Sequence, residues 1–256
     1  MKRRLLLEAL QELEPGSGRE ELLARILCGE VRVDGARVRD PRFLVGSSRV
    51  TQEPRRFVSR GGWKLDGALA AHGPRVAGWC LLDAGCSTGG FTDCLLQRGA
   101  SRVIAVDVGY GQLDFRLRRD PRVAVLERTN ILSLTPALLP AVPDAAVADL
   151  SFRSLRGAAG RLLELTSRKL LLALVKPQFE WREPDPAFRG VVRDPRARRQ
   201  VLTRLARDLA AEGVHLREAA PAWPAGARGN REYFFWLALE PALEEPERIV
   251  SKLFAE

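Results

Sequence analysis

The sequence predicts an α/β protein, and three observations support that class. Short apolar runs alternate with helical segments from residue 79 to residue 239, which is the pattern of strands and helices in a parallel sheet. A loop with three glycines follows the first of these runs, where open α/β sheets hold their ligands. The 256-residue chain also has room for a small second domain. We therefore expect a Rossmann-like sheet of about seven strands preceded by a small α+β domain.

Changes in composition along the chain predict where these parts begin and end. The predicted parts are a small domain (1–54), a polar linker (55–60), a large domain (61–245) and a terminal helix or tail (246–256). In the small domain, leucine spacing predicts helices over 2–14 and 19–28. Alternating valines then predict a hairpin over 31–38 with a tight Asp34-Gly35 turn.

A helix that opens with residues 59–66 and runs to about residue 71 is predicted at the start of the large domain, which continues as strands alternating with helices. The predicted strands are 79–82, 103–106, 123–126, 145–148, 169–175, 214–218 and 232–239. The helices between them are 91–97, 156–166 and 195–212, and loops are expected over 181–194 and 221–229. The last two strands follow each other without a helix between them, which predicts an antiparallel pair.

The loop after the first large-domain strand indicates a type of ligand. Its pattern from Gly85 to Gly90 is G-x-x-x-G-G, which lacks the second close glycine of a dinucleotide site. Phe91 stands where a phosphate-binding P-loop has its lysine. Asp107 ends the next strand, where a carboxylate can accept hydrogen bonds from ribose hydroxyls. An acid, a glycine loop and a second acid without phosphate recognition fit S-adenosylmethionine; the alternative is a glycine-rich turn in an unrelated α/β fold.

We expect the cofactor to contact this loop, the acids at both strand ends and two residues that follow later strands. The predicted cofactor residues are Asp83, Gly85, Ser87, Thr88, Gly89, Gly90, Phe91, Asp107, Asn130 and Asp149. Because the carboxyl ends of parallel strands meet at one edge of a sheet, these positions are expected to lie together.

The charge balance favours an anionic partner, either nucleic acid or an anionic membrane surface. The net charge is +9, and the first 60 residues contribute +4 of it. The small domain resembles the RNA-binding domain of ribosomal small-subunit protein four through "SGREELLARILCGEVRVDGARVRDP". Its arginines cluster without matching acids, which favours RNA over the alternative of a solvated helix-hairpin cap. The predicted RNA-binding residues are Arg19, Arg25, Arg32, Arg37 and Arg39.

Four ionisable residues are candidates for chemistry. Asp149 and Lys176 each follow an apolar strand and are expected beside the cofactor. Lys64, near the start of a helix, and Glu232, at the start of a strand, reach that site only if the fold brings them there. The alternative for each residue is an ordinary surface ion pair.

Seven ordered motifs resemble the TlyA family and cover nearly the whole chain. They are "SRGGWKLDGAL", "DAGCSTGGFTD", "AVDVGYGQLDFRLRRDPRV", "ERTNI", "ADLSF", "LVKPQFE" and "GNREYFFWL". The resemblance implies 2′-O-methylation of ribosomal RNA, on a cytidine of the small or large subunit, and members are historically called haemolysins. The large domain is similar to the FtsJ/RrmJ group, whose Lys-Asp-Lys-Glu tetrad falls on Lys64, Asp149, Lys176 and Glu232. The family's linker motif Arg-x-Trp-Val is matched by residues 55–58, with Phe57 in place of the tryptophan.

These residue types suit transfer of a methyl group to a ribose hydroxyl. The methyl on a sulfonium is already activated, so the protein must orient and deprotonate the 2′-hydroxyl for in-line attack. We interpret Lys176 as the base, in its neutral form. Asp149 and Glu232 are interpreted as orienting groups, and Lys64 as the group that stabilises the alkoxide or aligns the ribose.

Other methylation chemistries and a metal site do not fit the sequence. Residues 149–152 lack the two prolines of an amino-methylation loop, and no Pro-Cys pair supplies a nucleophile for cytosine C5. Two distant histidines cannot form a metal site alone. The four cysteines, which lack metal-ligand spacing, are expected as reduced thiols in the cytoplasm: Cys28, Cys80, Cys86 and Cys94.

Two functions of other classes remain as alternatives. A membrane-active haemolysin would need a span of roughly 20 apolar residues or a lytic amphipathic helix. The chain has no such run or secretory signal, and the apolar positions of the 195–212 helix are those of a packed face. The second alternative is a non-catalytic RNA-binding assembly factor. We expect ribosomal RNA as the partner, with no membrane and no obligate protein partner.

Overall fold

The computed structural model describes residues 4–151, 154–182, 188–226 and 229–255. The elements before residue 53 form a three-stranded antiparallel sheet and a two-stranded one, with two helices. They are β1 (Arg4–Leu5), α1 (Leu6–Leu13), α2 (Arg19–Leu27), β2 (Val31–Val33), β3 (Ala36–Arg37), β4 (Leu44–Val45) and β5 (Val50–Gln52).

Helices α1 and α2 cover the three-stranded sheet with their leucine faces. Leu10 and Leu22 are fully buried and share a core with Val31, because helical spacing places such residues on one side. The predicted Asp34-Gly35 turn is confirmed: the φ angles of 50° and 83° are both positive, as tight hairpin turns require.

The first helix begins later than predicted. Arg4 and Leu5 pair antiparallel with β4 instead of extending α1 back to residue 2, and residues 2 and 3 lie outside the described part. Strands β4 and β5 were missed, because two or three residues are too few to show an alternating pattern.

The large part of the chain confirms the predicted seven-stranded α/β sheet. Its spatial order is β11-β12-β10-β9-β6-β7-β8. The strands are β6 (Cys80–Ala84), β7 (Arg102–Val106), β8 (Val123–Leu126), β9 (Ala145–Ala148), β10 (Leu170–Val175), β11 (His215–Pro221) and β12 (Tyr233–Ala238). Strands β6 to β10 are parallel, and β12 lies antiparallel between β10 and β11.

Helices cover both faces of this sheet. One face carries α3 (Arg60–His72), α4 (Gly90–Gln97) and α5 (Phe115–Arg118); the other carries α6 (Ala159–Glu164), α8 (Pro195–Ala211) and α9 (Pro246–Lys252). Successive strand residues alternate between the two cores, as Leu81 and Leu82 do. This explains why the inner strands are apolar throughout.

The remaining short elements are α7 (Pro177–Glu180) and two turns of 3-10 helix, Ile131–Ser133 and Pro136–Leu138. Helix α6 is shorter than the predicted 156–166, and β11 continues to Pro221, where a loop was predicted. The predicted loops 181–194 and 221–229 include residues 183–187 and 227–228, which lie outside the described part.

Helix α8 has the packed apolar face that its sequence predicted. Its buried positions include Val201, Leu202, Leu205 and Leu209, and all but Val201 join the core beneath the helix. Because this apolar face is already covered, the helix offers no exposed apolar surface of the kind that inserts into a bilayer.

Candidate functional site

The glycine loop lies at the carboxyl end of β6 and is tied to the neighbouring strand. The amides of Gly85 and Cys86 donate to the carbonyl oxygen of Val106. The Asp107 carboxylate accepts from the amides of Ser87 (2.8 Å) and Gly109 (2.7 Å). Asp107 therefore fixes the shapes of two loops. Its carboxylate still has lone pairs that can accept hydrogen bonds from a ligand.

A cavity of about 460 Å³ opens between these loops. Its apolar wall includes Val108, Ile131 and Leu150, and its polar groups include Asp107 and Asn130. A small number of polar groups in a largely apolar pocket of this size is typical of a small-molecule site. The cavity suits a nucleoside: apolar walls for a base and a carboxylate for ribose hydroxyls.

A second cavity, of about 210 Å³, lies on the other side of the glycine loop. Its lining includes Lys64 from α3 and Arg60 one helical turn earlier. Both cavities are lined by Gly85, Ser87 and Asp149. Asp149 therefore stands where the two cavities meet.

The four candidate catalytic residues form two ion pairs. Lys64 Nζ lies 2.6 Å from Glu232 Oε2, and the exposed fractions of the two side chains are 9% and 4%. Lys176 Nζ lies 2.6 Å from Asp149 Oδ1, where the exposed fractions are 11% and 27%. The Lys176 ammonium also lies 2.9 Å from the hydroxyl of Ser151. The first pair is the more deeply buried.

Close glycine contacts bring Lys64 to this edge of the sheet. Helices α3 and α4 approach so tightly that a β-carbon on Gly90 would lie 2.9 Å from the amide nitrogen of Gly62. Gly85 likewise approaches β9, because its β-carbon would lie 2.6 Å from the carbonyl oxygen of Asp149. Gly226 leaves the space that the Glu232 carboxylate occupies. The glycines of this region therefore serve backbone approach as well as turns.

Two of the predicted cofactor residues do not line either cavity. Asp83 is fully buried beneath the loop, where its Oδ2 accepts a hydrogen bond from Thr92 at 2.6 Å. Burial raises the pKa of Asp83 to about 7. Gly89 has a φ of 97° at the start of α4 and packs against Leu117, so its role in the loop is conformational. The other eight predicted residues lie within the lining of one or both cavities.

The cysteine beside the site is not built as a nucleophile. Cys86 is buried, and burial together with the nearby carboxylates raises the pKa of its thiol. The four cysteines are free thiols, as predicted.

The ion pairs of the predicted RNA-binding arginines contradict the expectation that these arginines lack matching acids. Arg25 pairs with Glu14, and Arg32 and Arg37 both pair with Glu53. These three therefore do have matching acids. In the described residues, Arg19 and Arg39 make no ion pair with a carboxylate.

The linker residue Phe57 keeps an aromatic packing role. Its side chain is buried, contacts Gly62 and meets Trp63 edge to face, with the ring centres 5.4 Å apart. Trp63 in turn donates from Nε1 to Glu30 of the small domain at 3.1 Å. This chain of contacts joins the small domain to the helix that carries Lys64.

Several site residues were not predicted from the sequence, including Arg60, Gln112 and Ser151. Arg60 lines the second cavity, Gln112 lines the first, and Ser151 contacts Lys176. Arg60 was detectable in principle, because it precedes Lys64 by four positions on one helix face. Ser151 follows Asp149 by two positions at the same strand end, and Gln112 lies in the glycine-containing loop that follows Asp107.

Comparisons with known proteins agree with this geometry. A family model described as FtsJ-like methyltransferase matches residues 57–239. A Mycobacterium tuberculosis protein named 16S/23S rRNA (cytidine-2'-O)-methyltransferase TlyA is 45% identical over 224 residues, covering 86% of this chain and 84% of that protein. Hemolysin A of Brachyspira hyodysenteriae is 35% identical over 213 residues, covering 81% of this chain and 88% of that protein.

A solved structure from Streptococcus thermophilus, which also carries the name hemolysin, superposes with a TM-score of 0.73. It is 29% identical, and the match covers 99% of this chain and 96% of that one. Within the described residues, no helix has both the length and the apolar character that a membrane crossing needs.

Proposed function

Because this chain belongs to the TlyA family of FtsJ-like methyltransferases, we propose that it methylates the 2′-hydroxyl of a cytidine in ribosomal RNA. The methyl donor is S-adenosylmethionine. The observation that carries this proposal is that each lysine–carboxylate pair contributes one residue to the cavities: Lys64 lines the second cavity, and Asp149 lines both. The ribosomal substrate and the cytidine follow from the name of the M. tuberculosis relative.

The residues present fit the cofactor. The larger cavity offers apolar walls for an adenine and the Asp107 carboxylate for the ribose hydroxyls. The smaller cavity, lined by the backbone of the glycine loop, has room for the amino-acid end. S-adenosylmethionine supplies a methyl group that its sulfonium has already activated. Asp149, which lines both cavities, lies where the reacting groups would meet.

We assign the general base to Lys176 on a comparison of the two pairs. The Lys64–Glu232 pair is almost wholly buried and hydrogen-bonded. Lys176 is paired with Asp149, the carboxylate that lines both cavities. In this proposal Lys176, in its neutral form, accepts the proton of the 2′-hydroxyl, while Lys64 stabilises the developing alkoxide.

The carboxylates orient these lysines. Asp149 and the Ser151 hydroxyl contact Lys176 Nζ from separate positions, which limits the directions its lone pair can take. A hydrogen bond to Glu232 holds the Nζ of Lys64, whose side chain lines the second cavity. Glu232 accepts a hydrogen bond from Lys64, Asp149 forms an ion pair with Lys176, and neither carboxylate is consumed in the reaction.

The small domain supplies the contact to folded RNA in this proposal, as a domain of the ribosomal small-subunit protein four type. Its two helices and basic hairpin support that assignment, and two of the five arginines predicted to bind RNA, Arg19 and Arg39, form no ion pair with a carboxylate in the described residues. Phosphate contacts of this kind fix the position of an RNA and carry little sequence information.

The proposal is tested by methyl transfer to ribosomal subunits from cells that lack the modification. Purified protein and radiolabelled S-adenosylmethionine should label ribosomal RNA, and reverse transcription at low dNTP concentration should stop at a cytidine. The variant Lys176→Ala should bind both substrates and lose at least about 100-fold in rate, the lower range for a general base. The matched control is Lys169→Ala at the amino end of the same strand, which should keep the wild-type rate. A Lys176→Ala protein that methylates at that rate would overturn the base assignment.

A further inference from the structure

Trp223 exposes an indole at the active-site edge that the methyl-transfer machinery does not use. It follows β11 in the connection to β12, and 47% of its surface is exposed. The preceding residue, Ala222, donates its amide to the carbonyl oxygen of Glu232 at 2.8 Å. Trp223 therefore directly follows a residue whose backbone is hydrogen-bonded to Glu232 of the Lys64–Glu232 pair.

The small domain places a cation on this indole. The Arg39 guanidinium lies over the Trp223 ring, 5.4 Å from its centre. Gly29 permits this position, because a β-carbon there would lie 2.9 Å from Arg39 Nε. No carboxylate among the described residues pairs with Arg39, so its charge remains available to a phosphate.

Other cations surround the same region. Arg60 and Cys28 line a further cavity of about 300 Å³ at the seam between the small domain and α3. Arg60 and Lys64 also line the second cavity.

We propose that Trp223 is a stacking residue for an unpaired RNA base beside the target ribose, with Arg39 and Arg60 binding the adjacent phosphates. The inference rests on the proposed function, since it names how that substrate is held. Proteins bind unpaired RNA with aromatic rings and arginines close together. The ring stacks on the face of a base, and the arginines neutralise the phosphates on either side of it. Trp223 lines neither of the two cavities and is not a member of the tetrad, so it is a positioning residue.

The chain contains a matched control for this pair. Arg168 lies over Trp79, 4.3 Å from the ring centre, and both residues precede strands of the same sheet. That second pair therefore lies at the amino edge, opposite the site. Removing its cation with Arg168→Ala should leave RNA binding unchanged, whereas Arg39→Ala should weaken it.

The experiment uses the full chain with unmodified ribosomal RNA and measures RNA binding by filter retention, then KM and kcat for methyl transfer. Calorimetry gives the Kd for S-adenosylmethionine, and thermal melting reports folding. Trp223→Ala should weaken RNA binding and raise KM by roughly 5- to 150-fold, the usual range for one lost base stack. Its kcat and cofactor Kd should stay within about twofold, and Trp223→Phe should retain most of the affinity because it keeps an aromatic face.

Two results would overturn the stacking role. One is Trp223→Ala protein whose RNA affinity and KM match the wild type within about twofold. The other is an equal loss of cofactor affinity, which would make the indole a support of the fold alone. Filter retention measures RNA binding without methyl transfer, so it tests the stacking role even if the protein is inactive. A wild-type protein that fails to methylate RNA would contradict only the proposed function.

Discussion

Lys64 donates a hydrogen bond to Glu232 across 168 positions of the sequence, and both side chains are buried at the edge of the sheet. Lys64 arrives on a helix and Glu232 precedes the strand that lies between β10 and β11. The pair joins the two ends of the large domain at the place where the chemistry is proposed. Substitutions can therefore test separately how much this pair stabilises the fold and whether it takes part in catalysis.

Removing one partner of this pair should destabilise the fold more than removing both. Lys64→Met leaves the Glu232 carboxylate buried without its cation, which costs about 3–5 kcal/mol, and Lys64→Met with Glu232→Gln should recover most of that loss. Methyl transfer should remain absent in both variants. Urea denaturation and a radiolabel assay check the two effects. Recovery of activity in the double variant would contradict a catalytic role for Lys64.

Gly226→Ala should displace the Glu232 carboxylate, because the new β-carbon would overlap its oxygens. We expect a fall of at least about tenfold in kcat and also a loss of stability of up to about 3–5 kcal/mol, since a misplaced catalytic group is costly for the rate and a displaced carboxylate weakens the buried pair. The additional change Glu232→Asp shortens the side chain and relieves the overlap. The double variant should therefore not show the sum of the two single losses. If the two losses add, Gly226→Ala lowers the rate without displacing the Glu232 carboxylate.

Alanine substitutions at two glycines of α3 should change the free energy of unfolding in opposite directions. Gly62→Ala places a β-carbon against the buried ring of Phe57 and should lower the free energy of unfolding by about 1–3 kcal/mol. Gly67→Ala meets no atom within 4 Å and should raise it by about 0.5–1 kcal/mol through helix propensity. Urea denaturation of the two variants provides the comparison. Equal effects would show that α3 does not pack through Gly62 as described.

Asp83 should make the ligand-free protein less stable as the pH rises. Burial raises the pKa of this carboxyl from 3.8 to about 7, so between these values the folded state keeps a proton that the unfolded state has lost. The resulting stabilisation is complete below about pH 4, declines as the pH rises and is gone above about pH 7; the whole change is about 4 kcal/mol at 1.36 kcal/mol per unit.

The variant Asp83→Asn isolates this effect because its amide does not titrate. The difference in free energy of unfolding between Asp83→Asn and the wild type should shift in favour of the variant from pH 5 to pH 8. Asp34→Asn serves as the control, since hydrogen bonds from Ser48 and Arg49 lower the pKa of that exposed carboxyl. A difference that is independent of pH for Asp83→Asn would contradict the raised pKa.

Residues at strand ends were predictable, and residues joined by tertiary contacts were not. Asp149 and Lys176 follow parallel strands, whose carboxyl ends must share one edge, so their meeting follows from the strand pattern. The Lys64–Glu232 contact depends instead on glycine-mediated helix crossing and on the place of β12 in the sheet, neither of which has a local pattern. The arginine pairs were missed for a similar reason: Glu53 follows β5, a three-residue strand whose position beside β2 leaves no trace in the sequence.

The place of β12 has a consequence for synthesis of the chain. It is the last of the seven strands in chain order, yet it lies inside the sheet, and Glu232 immediately precedes it. A nascent chain whose residues beyond β11 are still inside the ribosomal exit tunnel therefore has the cofactor loop, Lys64, Asp149 and Lys176, but no carboxylate to complete the first pair. A protein proposed to modify ribosomes is in this way kept incomplete until β12 has left the ribosome that makes it.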